Sequence, residues 1–133
     1  MKNYNNNIMV VAGKDEFKEI KRILKEMGFH HLYIFLANSQ TDALCEISLI
    51  QDTGCDIDVL IFDYSHPEIE FEKIFNLIKL ENDITKTIPK IVMLDLGKIQ
   101  FVRNSDQFKE SEIIFITPFE MVIAIKKTLG LED

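Results

Sequence analysis

The sequence predicts a three-layer α/β domain in which helices cover both faces of a parallel five-stranded sheet, a doubly wound (βα)5 unit. Three observations predict it. Five short apolar runs recur along the chain, the segments between them carry apolar residues at helical spacing, and the two patterns alternate. None of the runs interleaves polar residues, so each strand must be buried on both faces, and helices on both sides of a parallel sheet supply that cover. A chain of 133 residues, 47% hydrophobic and 28% charged, has the size and composition of one soluble globular domain. Residues 7–130 read as that domain, 1–6 as a flexible polar leader and 131–133 as a tail.

The elements follow in order. Residues 8–12 (IMVVA) form a strand-length apolar run that Gly13 and Lys14 break. Phe17, Ile20, Ile23, Leu24 and Met27 then fall on one helical face, with Gly28 where a C-cap belongs. Residues 32–37 (LYIFLA) read as the second strand, and Ser39 with Asp42 opens a helix that Gly54 ends. Residues 59–62 (VLIF) are the third strand and 69–80 the third helix, with Phe71, Ile74, Phe75, Leu77 and Ile78 inward. The polar loop 81–90 leads through Pro89 into a fourth strand at 91–94 (IVML), followed by a short helix near 99–103. Residues 113–116 (IIFI) are the fifth strand, and 118–129 the closing helix.

Several function classes are excluded at this stage. A net charge of −7, from 15 basic and 22 acidic residues with the lysines scattered among acids, argues against nucleic acid as a partner. No apolar run is long enough to span a bilayer, and MKNYNNNIMVVAG does not match a secretory signal, so a cytoplasmic protein with no membrane partner is expected. Cys45 and Cys55 lack partners at metal-ligand spacing and read as reduced or structural thiols. His30 and His31 are read as a turn on the surface, because adjacent strand residues point to opposite faces and cannot share a metal.

In a doubly wound sheet, ligands sit outside the carboxyl ends of the strands. The residues there are Gly13, Lys14 and Asp15, then Asn38, Asp63, Asp95 and Thr117. Two of these ends carry a recognisable pattern. Asp63 closes the third strand and Pro67 follows four residues later (D-x-x-x-P); at the fifth, Ile116-Thr117-Pro118-Phe119-Glu120 resembles a K-P-F ending before the last helix. In these features and in element order the chain resembles the receiver domain of bacterial response regulators, in a degenerate, pseudo-receiver-like form.

That resemblance implies a flavodoxin-like sheet in order 2-1-3-4-5 and a role in two-component, phosphorelay signalling. It implies Asp63 as the position that accepts a phosphoryl group from a histidine kinase, and a cis bond before Pro118, with Pro67 shaping the turn after Asp63. A carboxylate and a phosphoryl group repel, so the family uses Mg2+ and a cation on the phosphate. By position Asp63 and the Ser65 backbone carbonyl would hold that Mg2+, but the acid pair after the first strand falls on Ala12 and Gly13. The hydroxyl position after the fourth strand is Asp95, the lysine position is Thr117, and Ile114 stands where the family often has an aromatic gate. Lys14 is the nearby cation, expected to reach Asp63 or Asp95. Phosphorylation is therefore expected to be weak or lost, with no cofactor unless the site functions and takes Mg2+. The expected partner is a protein: a histidine kinase, an effector or a second copy. The expected binding face comprises the segment 98–107 and the last helix, through Met121, Ile125 and Lys126.

The alternative is a small Asp-dependent phosphatase-like or metal-using enzyme in which Asp63 and Asp95 act as a carboxylate pair. Against it, Ser65 stands where such phosphatases carry a second aspartate, and AGKDEF lacks the glycine spacing of a phosphate or dinucleotide loop. No nucleophilic triad is apparent, so the chain is not expected to be an enzyme.

Overall fold

The computed structural model describes residues 3–13, 15–36, 52, 54, 56–66, 88–106 and 113–131. Its strands are β1 (Tyr4–Ala12), β2 (Phe29–Leu36), β3 (Val59–Tyr64), β4 (Lys90–Leu94) and β5 (Ile114–Ile116). They form one all-parallel sheet in the order β2-β1-β3-β4-β5, the doubly wound arrangement expected from the uninterrupted apolar runs. The described helices are α1 (Glu16–Met27), α2 (Leu96–Arg103) and α3 (Met121–Leu129), the last preceded by a 3-10 turn at Pro118–Glu120. Of the helices expected at 39–54 and 69–80, only Asp52, which is helical, and Gly54, at φ 89°, are among the described residues; the rest lie outside them, as do Cys45 and Cys55.

Strand periodicity splits the apolar runs of β1, β3 and β4 between two core layers. Ile8, Val10, Val59, Ile61, Ile91 and Met93 face the layer covered by α1, through Ile20 and Leu24, and by α3, through Met121 and Ile125. Met9, Val11, Leu60, Phe62 and Val92 face the other, covered by Ile99 and Val102 of α2. Gly28 ends α1 in the left-handed region at φ 110°, where a side chain would strain the backbone, and its N–H returns to the Lys25 carbonyl at 3.0 Å.

Several boundaries differ from expectation, β3 among them, which runs on through Asp63 to Tyr64. Residues 4–6 are the start of β1 rather than a leader: the Tyr4 N–H donates to the Gly28 carbonyl at 2.8 Å, and its ring lies 5.0 Å from that of Phe29. Asn7 is locked to the segment before β3, donating its N–H to Asp58 Oδ2 at 2.7 Å and its amide to the Asp56 carbonyl at 2.8 Å. His30 and His31 belong to β2 rather than to a turn, and both are exposed; His30 Nε2 lies 2.8 Å from Asn3 Oδ1. In α2, the helix begins three residues before the expected position because Asp95 caps it. At the far end, Leu131 belongs to the helix stop rather than a tail, donating its N–H to the Lys126 carbonyl at 2.8 Å and packing on the core.

The Thr117–Pro118 bond is trans, correcting the expected cis bond; no cis peptide occurs among the described residues. Thr117 is extended at φ −87°, ψ 160°, the conformation a residue before proline prefers, and Pro118 opens a helical turn where its missing N–H leaves no bond unmade.

Candidate functional site

The carboxyl ends of β1, β3 and β4 lie side by side. Val11 pairs with Phe62, Ala12 with Leu36 and Asp63 with Met93, so Ala12 and Asp63 stand next to one another as the central strands end. Alternation turns both toward the layer containing Ile8 and Ile61, since Phe62 and Tyr64 face the opposite one. Asp63 is half-buried and engaged locally: its Oδ1 accepts the Ser65 hydroxyl at 2.5 Å and the Ser65 backbone N–H at 3.1 Å. This closed turn gives the carboxylate two donors within the chain. Pro67 lies outside the described residues.

No acid comes from the end of β1 itself. Ala12 is fully buried, and a Cβ on Gly13 would run into the carboxylate of Glu16, which folds back over that glycine. Asp15 occupies the N-cap of α1 and is exposed, making no side-chain cap bond, while Glu16 sits in the first turn, where an acid favours the helix dipole. Among the described residues no group of three or more His, Cys, Asp or Glu could hold a metal ion. The residues at the strand ends therefore do not fit the Mg2+ set that the resemblance implies. Lys14, the expected replacement cation, lies outside the described residues.

Asp95 does not stand as an uncompensated negative charge at the strand ends. It caps α2: Oδ1 accepts the Lys98 backbone N–H at 3.3 Å and lies 3.4 Å from the Lys98 ammonium. The Lys98 side chain is 12% exposed, so this pair is shielded enough for its attraction to count more than that of a surface pair. The spacing Asp95-Leu96-Gly97-Lys98 carried this signal, because a cap residue bonds the amide two or three positions on.

Thr117 is likewise part of a cap. Its N–H and hydroxyl both donate to Glu120 Oε1 at 3.0 Å, and the Arg103 guanidinium donates to Oε1 at 3.2 Å and Oε2 at 3.5 Å. The end of α2 is thereby tied to the start of α3. The Thr117 backbone N–H, its hydroxyl and Arg103 together hold the Glu120 carboxyl below the usual carboxylate range. A depressed carboxyl contributes stability that is present above its unfolded pKa and lost as pH falls through the folded one. Glu120→Gln is expected to lower the melting temperature above about pH 4.5, where the charged carboxylate contributes, and to flatten its fall with acid below that pH, so that variant and wild type converge. An unaltered acid limb in thermal melts of the variant would remove Glu120 from that account.

The surface of the last helix also differs from expectation. Met121 and Ile125 are core residues, 2% and 0% exposed, and Lys126 is half-buried, so Met121 and Ile125 are not a binding face. They point inward because α3 is apolar almost all round, and the sheet takes the face that contains them with Ala124. The opposite side exposes Ile123 at 62%, with Phe119 of the preceding 3-10 turn at 92% and Ile114 of β5 at 39%. Between β5 and α3 lies a groove of about 180 Å³ walled by Ile114, Ile116, Ile123 and Ala124, with Glu120, Lys127 and Thr128 at its margins. Within the expected 98–107 segment, Phe101 is exposed, while Gln107 lies outside the described residues. No described helix is long and apolar enough to cross a membrane.

No family model and no curated protein matches the chain.

Proposed function

We propose that the chain is a receiver-like signalling domain of the two-component type, acting through contacts with other proteins, in which phosphoryl transfer to Asp63 is weak or lost. The observation that carries this reading is the state of the strand ends. Asp63 stands at the close of the central strand, where a phosphoacceptor would be, yet Ser65 occupies it, Ala12 replaces an acid beside it, and Asp95 is spent on a helix cap and Lys98. An acyl phosphate there would need its charge neutralised, and the described residues offer no cluster of acids to recruit a divalent cation for that purpose.

The proposed contacts use the exposed apolar side of α3 and β5, where Phe119, Ile123 and Ile114 leave hydrophobic surface in water. Histidine kinases and effector proteins are the partner classes this reading implies; it needs no bound cofactor and no chemistry by the domain itself.

The test is a phosphodonor challenge. Acetyl phosphate or beryllofluoride is added with and without Mg2+, and intact mass and amide NMR spectra are recorded. The expected result is no phosphoryl adduct and no Mg2+-dependent shift near Asp63. An adduct on Asp63, or shifts confined to Asp63, Ser65 and their neighbours, would overturn the claim that transfer is weakened.

A further inference from the structure

Lysines that are scattered among acids in the sequence are sorted from them on α1. Lys18, Lys21 and Lys25 are all exposed, and at about 100° per residue they fall within about 60° of one another round the helix axis, in a row about 10 Å long. The acids of the helix go elsewhere. Glu19 and Glu26 lie about a third of a turn further round, and both are taken by Arg22, whose Nη1 donates to Glu26 Oε1 at 2.7 Å and whose Nε donates to Glu19 Oε2 at 3.1 Å. Among the described residues no carboxylate pairs with Lys18, Lys21 or Lys25. Like charges three and four residues apart on a helix repel, so the row works slightly against α1, with no described carboxylate to offset it. Charge is also uneven along the chain: bases outnumber acids up to Met27, whereas acids outnumber bases across residues 28–95. The net −7 therefore originates away from α1.

We propose that this row is the docking site for an acidic helix of a partner protein, whose carboxylates at matching i, i+3 and i+7 positions lie along Lys18, Lys21 and Lys25. Charge complementarity selects the occupant, and the surroundings of the row narrow it. Glu19 and Glu26 flank the lysines, so a broad polyanion such as a nucleic-acid backbone or an anionic bilayer would press its outer charges against carboxylates. A single acidic stripe on a helix would not. No large apolar side chain of α1 is exposed, so the helix has nothing to insert into a bilayer. The −7 of the whole protein repels an acidic partner on other approaches, which directs it to α1; at physiological salt, charges more than about 8 Å away are largely screened. The contact depends neither on Asp63 nor on the groove beside α3.

The test titrates the isotope-labelled full chain with a synthetic alanine-based helical peptide carrying glutamates at i, i+3 and i+7, read by amide NMR. Shifts are expected along α1 around Lys18, Lys21 and Lys25, with binding that weakens as salt rises. Lys21→Gln with Lys25→Gln should weaken binding by about tenfold while leaving the circular dichroism melt unchanged or slightly raised, because the substitutions also relieve like-charge repulsion. Lys21→Arg with Lys25→Arg should retain it, since the charges stay in place. Absence of shifts along α1, equal binding of a peptide with the same glutamates spread round its helix, or undiminished affinity in the glutamine variant would each overturn the proposal. So would tighter binding to a single-stranded oligonucleotide, or to vesicles of phosphatidylserine and phosphatidylcholine, than to the peptide.

Discussion

Replacing Phe62 with alanine is expected to lower folding stability by about 3–5 kcal/mol. Phe62 is 2% exposed on β3, which pairs with β1 on one side and β4 on the other, and its ring centroid lies 5.8 Å from that of Tyr64. It packs in the same layer as Val11, Leu60 and Val92 under α2, so truncation leaves a cavity in the middle of the sheet rather than at a rim that can collapse. Against a net stability of about 5–15 kcal/mol, the loss is about a fifth of the total or more. Urea titrations followed by far-UV circular dichroism measure it, with Phe62→Leu, expected to cost less than about 1.5 kcal/mol, separating lost volume from lost apolarity. A loss below about 1 kcal/mol for Phe62→Ala would mean the ring is not a core element. The effect reaches the site, because Asp63 is the next residue and its turn with Ser65 hangs from the same strand.

The parts of this fold that were readable in advance are those in which local pattern and burial say the same thing. IMVVA, VLIF and IVML are apolar at every position because both faces of β1, β3 and β4 are covered, and their parallel direction follows from that cover, whereas the strand order comes from the resemblance. The missed pieces depend on contacts between distant residues. Tyr4-Asn5-Asn6-Asn7 has nothing strand-like in composition, and becomes strand through the bond from Tyr4 to Gly28 and the clasp of Asn7 on Asp58. Around α3, the run FEMVIAIKKTL offers apolar residues on every side, so periodicity could not say that Met121 and Ile125 face the sheet while Phe119 and Ile123 face water. At the candidate site, position was legible and partners were not: Asp63 and Asp95 were placed at the strand ends, but their capture by Ser65 and Lys98 is a matter of side-chain geometry. For Lys98 the cap spacing is present in the sequence, since Asp95 stands three residues before it.

Placing a carboxylate at the end of β1 should have the other large effect. Ala12 is fully buried and, by the parallel register, stands alongside Asp63 on a strand about 4.8 Å away. In Ala12→Asp the new group loses its hydration and meets a like charge, which is expected to cost about 3–5 kcal/mol in metal-free buffer at neutral pH. Burial and the neighbouring carboxylate both raise the introduced carboxyl above the usual range. Between its unfolded and folded pKa values the folded state then holds a proton that the unfolded state releases, so the variant regains stability relative to wild type as pH falls. One step past the Val11–Phe62 pair, the variant would carry two carboxylates on adjacent strands, within reach of one divalent cation, where the wild type has a methyl group and a carboxylate. Mg2+ at a hundred times its dissociation constant would return about 2.7 kcal/mol to the variant, and should leave the urea midpoint of the wild type unmoved. A wild-type midpoint that itself rises with Mg2+, and stops rising in Asp63→Asn, would show that another residue already supplies the acid missing at Ala12. That outcome would count for Asp63 as a metal-assisted phosphoacceptor, whereas rescue confined to Ala12→Asp would support the proposal that phosphoryl transfer is weakened, with a buried methyl group as the local cause.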